Sequence, residues 1–211
     1  VADGANGMRV AARRLIESGV DLIKLMLTGG IYSEHESVED DQFTEEELRA
    51  VMEVANNKGI PVAAHCGGAR AAERFSNLGG KSIEHGYVLD EQAAKVMAKN
   101  GTWLVPTIGV TQDSSLMEAD GWPEHAKNRA KIAAAQHLQS LQVCLAAGVR
   151  IAVGADLNPI GHRLHAELRM LEVAGMSRLE VIHAATSGGR ELNGLGDASS
   201  PEVGSTADLL I

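Results

Sequence analysis

Residues 59–65 read Gly-Ile-Pro-Val-Ala-Ala-His, a short apolar run that begins after a glycine and ends on a polar residue. Continuous apolar runs of this length are typical of strands that are buried on both faces, as in parallel sheets. The segment before it starts with Thr44 and carries Glu47 three positions later, which is the capping-box pattern of a helix start. The order of helix, glycine turn and apolar strand therefore indicates an α/β unit.

The same unit recurs along the chain. Periodicity predicts helices over residues 6–18, 44–58, 69–78, 90–100, 123–147, 164–174 and 177–185. Core strands are predicted over residues 21–27, 60–64, 81–84, 102–106 and 149–153, with one more apolar strand over 204–211. Five core strands that alternate with helices predict an α/β fold with a parallel sheet. No glycine-rich phosphate loop follows any of these strands, so a β/α barrel, or most of one, is the favoured alternative to a doubly wound sheet.

Composition excludes several classes of protein. The 211 residues are 45% hydrophobic and 22% charged, as in ordinary globular domains, and they contain no apolar run long enough to span a membrane. The net charge of -9 and an aromatic content of 3% argue against nucleic-acid binding. Two cysteines, Cys66 and Cys144, form neither a disulfide framework nor a cysteine-rich zinc motif.

Polar residues occur at equivalent places in successive predicted strands, namely Lys24, His65, His85 and Asp156. Each has an ordinary structural explanation: an exposed lysine, hydrogen-bonded histidines, and a carboxylate that caps a turn. Taken together they favour a divalent metal site, because neutral imidazoles and carboxylates bind zinc well. A buried lysine has a lowered pKa, and its neutral amine can take up carbon dioxide to form a bridging carbamate.

The chain resembles the amidohydrolase superfamily, in the branch of Xaa-Pro dipeptidases, imidazolonepropionase-like proteins and arginine carboxypeptidases. Its matching segments span nearly the whole chain: 3–4, 19–30, 62–65, 82–86, 154–156, 184–186 and 204–209. The resemblance implies a (β/α)8 TIM barrel with a small β-sandwich. It also implies two divalent metal ions, with zinc favoured, and a carboxylated Lys24 as the bridging ligand.

The resemblance further implies a role for each residue. Lys24 would end strand four, and His65 and His85 would end strands five and six as ligands of the second metal. Asp156 would end strand eight, contact the first metal and act as the general base. Tyr87 resembles a tyrosine that contacts substrate, with a partly buried packing role as the equal alternative. The segment over residues 108–126 is expected at the pocket rim.

One departure from the family pattern shapes the expected domain organisation. The family has a His-x-His pair on its first strand, and no such pair occurs in this sequence. We therefore expect the C-terminal portion of a longer amidohydrolase, that is, strands four to eight of a partial barrel over residues 1–203. Residues 204–211 would begin the return strand to a β-sandwich that is missing from the sequence.

The function implied by this resemblance is hydrolysis of amide or peptide bonds by a hydroxide held between two metals, in an Xaa-Pro dipeptidase or carboxypeptidase-like enzyme. A cyclic-amide hydrolase such as imidazolonepropionase, which does not require Lys24, is one alternative. A catalytically incomplete barrel fragment is another. The expected partner is a small-molecule or dipeptide substrate, without nucleic acid or membrane, in the cytoplasm. A homo-oligomer and an upstream signal peptide are left open.

Overall fold

A computed structural model of the protein describes residues 2–156, 160–196 and 203. Helices and strands alternate along the first half of the chain, and helices follow along the second half. The elements are α1 Gly4–Glu17, β1 Ile23–Met26, α2 Glu45–Lys58, β2 Val62–Gly68, α3 Ala69–Asn77, β3 Ser82–Val88, α4 Glu91–Asn100, β4 Trp103–Val105, α5 Gly109–Gln112, α6 Ser114–Ala119, α7 Glu124–Ala146, α8 Ile160–Val173, α9 Arg178–Ala185 and α10 Ser187–Leu192.

The strands form a four-stranded parallel sheet in the order β1-β2-β3-β4. This arrangement confirms the predicted α/β class with a parallel sheet. A helix between each pair of neighbouring strands carries the chain back to the end of the sheet where the next strand begins. The register places Met26 of β1 opposite His65 of β2, and Cys66 of β2 opposite His85 of β3. Neighbouring strands therefore bring their polar residues to the same region of the sheet.

The prediction of a full fifth strand over residues 149–153 is wrong for the described part of the chain. Only one parallel bridge forms there, between Leu104 and Ile151. Around that bridge the N–H of Leu104 donates to the carbonyl of Arg150, and the N–H of Ala152 donates to the carbonyl of Leu104, whereas the N–H of Val153 donates to the carbonyl of Ala184. Pairing along the sheet therefore stops after a single bridge.

Local capping explains why the boundaries of α2 and α4 agree closely with those predicted. The Thr44 side chain accepts the N–H of Glu47, whose carboxylate in turn accepts the N–H of Thr44. This reciprocal pair fixes the start of α2, and Gly59 ends it in the left-handed conformation that glycine adopts readily. Asp90 caps α4 in the same manner by accepting the N–H of Ala93.

The core lies between the sheet and its helices. Ile83 and Leu104 on the strands pack in one cluster with Phe75 of α3 and Met97 of α4, and all four are fully buried. Burial alternates along β1, where Lys24 is exposed between two buried residues. This strand is therefore open on one face, in contrast to the expectation that both faces of every strand are covered.

Two expectations concern a part of the chain that the structure does not describe. The return strand predicted over residues 204–211 lies outside the described residues, so it remains a prediction together with the division of the chain at residue 203. Within the residues that are described, no helix combines the length and apolar character needed to cross a membrane.

Candidate metal centre

Three of the four predicted ligand residues line one cavity. His65 of β2, His85 of β3 and Asp156 face a space of about 460 Å³. Segments that follow β1 and β4, represented by Gly30 and Val110, also line it. The cavity therefore lies at the carboxyl ends of the parallel strands, where α/β folds place their sites.

The two histidines contact each other at the bottom of this cavity. Their ring centroids are 4.6 Å apart in an edge-to-face arrangement, and the residues are 7% and 5% exposed. Burial lowers the pKa of both imidazoles. The hydrogen bond to the Gly29 carbonyl opposes this effect at His65, whereas the rings of His65 and His137 and the Lys24 ammonium lower the pKa of His85 further. Both rings are therefore held neutral, the form that binds metal ions.

Each histidine uses one nitrogen for orientation. Nε2 of His65 donates to the carbonyl of Gly29 at 3.2 Å, so the neutral ring presents its Nδ1 lone pair. Nδ1 of His85 pairs with Oγ1 of Thr107 at 2.6 Å, which leaves Nε2 for the cavity. Such partners on the second nitrogen are typical of metal-binding histidines.

Asp156 approaches the histidines without bonding to them. Its Oδ2 lies 3.9 Å from Nε2 of His85, beyond hydrogen-bond range. Burial raises the pKa of this carboxyl, and nearby Lys24 and His65 oppose the increase. The carboxylate and the imidazole therefore line the same cavity, but they do not form a hydrogen bond with each other.

Lys24 lies beside this group rather than inside it. Its side chain lines a neighbouring cavity of about 920 Å³, together with Glu84 and Gly154. Partial burial lowers the pKa of the lysine, whereas Glu84 and Asp156 raise it. The direction of this shift agrees with the expectation from the sequence, although the Lys24 side chain is exposed rather than fully buried.

Backbone strain is concentrated at the site. Among the described residues, the non-glycine residues with positive φ are His85 at 74°, Thr107 at 47° and Asp156 at 49°. This left-handed region is disfavoured for side chains with a Cβ, and strain of this kind clusters at functional sites. At His85 it interrupts the usual strand alternation, so that Glu84 and His85 both reach cavities on the inner side.

Helix α7 holds the strained end of β3 from outside. Nε2 of His137 donates to the carbonyl of His85 at 3.0 Å, and its Nδ1 pairs with Thr111. Ser140 donates to the carbonyl of Gly86 and accepts the N–H of Leu89. No local pattern in the sequence singles out these residues, because they are far from β3 along the chain.

Tyr87 is buried next to the histidines. Its ring stacks on His85 at a centroid distance of 5.1 Å and 6° between planes, and it contacts His137 edge-on at 4.9 Å. Burial raises the pKa of its hydroxyl. The residue thus combines a packing role with a place in the cavity wall, and the predicted substrate contact remains a prediction.

The predicted rim segment lies where it was expected. Val110, Asp120 and Trp122 from residues 108–126 line the cavity, and Trp122 contacts the ring of Tyr32 at 4.7 Å. Asp120 pairs through both oxygens with Arg163. The outer part of the cavity is therefore largely aromatic, with its nearby carboxylate neutralised by an arginine.

The donor set of this cavity suits a divalent cation. Two neutral imidazoles, each fixed through its other nitrogen, adjoin one carboxylate, the combination that zinc prefers. Within residues 2–156, 160–196 and 203, however, no group of three His, Cys, Asp or Glu side chains has the spacing of a complete metal site. The residue types thus suit a divalent metal, but the distances between these side chains are larger than in a complete metal site.

The chain combines a parallel α/β sheet with a histidine-carboxylate cavity, and its residues 3–211 match the amidohydrolase family. The chain belongs to that family. Its members generally use divalent metals.

Three known proteins show the range of this similarity. Ochratoxinase of Aspergillus niger is 32% identical over 187 residues, which cover 89% of this chain and 39% of that protein. Imidazolonepropionase of Rhizobium rhizogenes is 33% identical over 80% of this chain and 39% of its own length. A prolidase complexed with N-methylphosphonate-L-proline superposes with a TM-score of 0.87 at 30% identity, covering 99% of this chain and 52% of the prolidase. The chain therefore spans about two fifths to one half of the proteins that it matches.

Proposed function

We propose that this chain carries part of the active site of a metal-dependent hydrolase of amide or peptide bonds, of Xaa-Pro dipeptidase or carboxypeptidase-like specificity. The observation that carries the proposal is the convergence of His65, His85 and Asp156 on one cavity, with a nitrogen of each histidine left for a ligand. Similarity to a prolidase supports the peptide substrate.

In this proposal His65 and His85 hold a divalent metal, with zinc favoured by their chemistry. Carboxylated Lys24 would bridge to a second ion, supported by its lowered pKa and its proximity to Asp156. A bound metal would supply Lewis-acid chemistry, polarising the scissile carbonyl and acidifying water. The protein's own contribution is to hold two neutral rings in fixed orientation, with His85 on a strained strand end.

Asp156 is the proposed general base. Partial burial raises the pKa of its carboxyl, which makes the carboxylate a stronger base. Oδ2, the oxygen nearest His85, would take a proton from the attacking water and pass it to the leaving nitrogen. Tyr87 would contact the substrate from the cavity wall beside His85.

A second candidate is hydrolysis of a cyclic amide, as in an imidazolonepropionase. The observation that favours it is the position of Lys24, which lines the neighbouring cavity rather than the one that holds the histidines. A reaction that needs one metal would not require that lysine. The proposed organisation, strands four to eight of a barrel over residues 1–203 followed by a return strand, is the same for both candidates.

Zinc binding and a substrate panel test the proposal. Equilibrium dialysis should show zinc bound by the wild-type chain and lost in the double variant His65→Gln/His85→Gln. The variant His35→Gln, at an exposed position, is the matched control and should retain zinc. Turnover of Xaa-Pro or Xaa-Arg dipeptides, rather than cyclic amides, by a protein that includes this chain would select the first candidate. Equal zinc binding by the double variant would contradict the proposal.

A further inference from the structure

Glu167 is a buried carboxylate with no part in the chemistry proposed above. It lies on α8 and is 1% exposed. Its two oxygens accept the backbone N–H groups of Ile108 and Gly109, each at 2.8 Å. Burying a carboxylate costs free energy unless its oxygens are hydrogen-bonded. Both oxygens of Glu167 bond to this one turn, so the carboxylate holds the backbone of the turn in place.

The turn held by Glu167 begins with Thr107. Thr107 has a φ of 47°, a conformation that a β-branched residue rarely adopts. Its hydroxyl oxygen lies 2.6 Å from Nδ1 of His85. The two amides bound by Glu167 directly follow Thr107 in the chain, so the carboxylate fixes the backbone that presents this hydroxyl.

We propose that Glu167 is a positioning residue that acts through Thr107 to set the orientation and tautomer of His85. The proposal rests on the proposed function, in which His85 is a metal ligand. A threonine hydroxyl can donate or accept, and in this proposal the turn holds it as the acceptor of Nδ1–H of His85. The lone pair then resides on Nε2, the nitrogen nearest Asp156. When the turn is released, the two tautomers of His85 mix and fewer molecules present Nε2 to the cavity.

The first measurement uses the metal-free protein. Histidine labelled with ¹⁵N allows the His85 tautomer to be read by NMR, with His85→Gln to assign its signals. Wild-type protein should show mainly Nδ1–H, and Glu167→Gln should show a mixture. Glu172→Gln, an exposed glutamate on the same helix, should keep the wild-type tautomer. An unchanged tautomer in folded Glu167→Gln overturns the proposal.

The second measurement separates a positioning role from general stability. Zinc alone serves as the probe in equilibrium dialysis at about pH 8, where Glu167 with a pKa of about 7 is ionised. Glu167→Gln and Thr107→Val should each weaken zinc binding by about 10- to 100-fold, as is usual when a partner of a metal-bound histidine is removed. The double variant should bind zinc as tightly as the single variant with the lower zinc affinity, because both changes break the same link between Glu167 and His85. If the loss of zinc affinity in the double variant equals the product of the losses in the two single variants, the proposal is overturned.

A second variant keeps the test decisive if Glu167→Gln does not fold. A Cβ at Gly109 would lie 3.3 Å from Oε2 of Glu167, so Gly109→Ala should displace the same contact without removing the charge. We expect a smaller shift of the His85 tautomer in the same direction, and no shift would overturn the proposal. If the wild-type chain binds no zinc, the proposed function fails, while the metal-free NMR measurement still decides the role of Glu167.

Discussion

Nε2 of His85 and Oδ2 of Asp156 lie 3.9 Å apart, and both residues hold left-handed backbone conformations. Their side chains face the same cavity, although they differ in exposure, at 6% for His85 and 64% for Asp156. Such conformations persist only where surrounding contacts enforce them. For His85 those contacts come from His137 and Thr107, so the surrounding structure stabilises the position of this ring.

Asp156→Asn tests the proposed base. In a full-length protein that includes this chain, turnover should fall by about 100-fold or more, the usual contribution of a general base. Zinc content should be largely retained, because the histidines remain. The control Asp21→Asn, exposed at the amino end of the sheet, should leave turnover unchanged. Near-normal turnover of Asp156→Asn would remove this residue from the role of base.

Lys24→Ala tests the bridging lysine. If a carbamate on Lys24 holds the second metal, the variant should lose about half of the bound metal as measured by mass spectrometry of metal content. A short carboxylate such as acetate, diffusing into the adjoining cavity, should restore part of it. Lys58→Ala, exposed on α2, provides the control. Full metal content in Lys24→Ala would favour the cyclic-amide candidate instead.

Gly86→Ala tests packing around the strained strand end. Gly86 has a φ of 66°, and an added Cβ would lie 2.8 Å from Leu89 and 2.9 Å from Leu104. Gly148 has a φ of 78° with nothing within 4 Å, so Gly148→Ala isolates the backbone cost. We expect a loss in the free energy of unfolding of about 1–2 kcal/mol for Gly148→Ala, and about 1–3 kcal/mol more for Gly86→Ala. Urea denaturation measures the loss in the free energy of unfolding for each variant. Equal losses would show that the side chains of Leu89 and Leu104 can move aside at no cost in stability.

Glu167 should make stability depend on pH. Burial raises the pKa of its carboxyl from the usual 4.5 to about 7. The folded state therefore binds the proton more tightly than the unfolded state, so stability falls as pH rises from 4.5 through 7. The loss from this group should be about 3 kcal/mol at most.

Urea denaturation at a series of pH values measures this dependence. Glu167→Gln cannot titrate, so its free energy of unfolding should fall less between about pH 5 and 8 than that of the wild type. Glu172→Gln should keep the wild-type slope. Identical slopes for wild type and Glu167→Gln would show that the carboxyl titrates equally in both states.

Local signals in the sequence account for much of the fold. The Thr44 and Glu47 pair and the glycine at 59 set the ends of α2, and Asp90 sets the start of α4, because capping involves residues only a few positions apart. The predicted strand over residues 149–153 failed because pairing depends on a partner strand. Only Ile151 of this segment forms a bridge to β4 in the described part of the chain, which no local pattern records.

The sequence by itself determined the α/β class, the ends of α2 and α4, and three residues that line the cavity, His65, His85 and Asp156, since periodicity, caps and strand-end polarity depend on neighbouring positions. Tertiary structure alone decided which nitrogen of each histidine is free, that Lys24 lines the adjoining cavity, and that Thr107, His137 and Glu167 support His85. Those hydrogen bonds join residues 22 to 59 positions apart. Their geometry depends on how helices pack against the sheet, which is settled only when the whole core assembles.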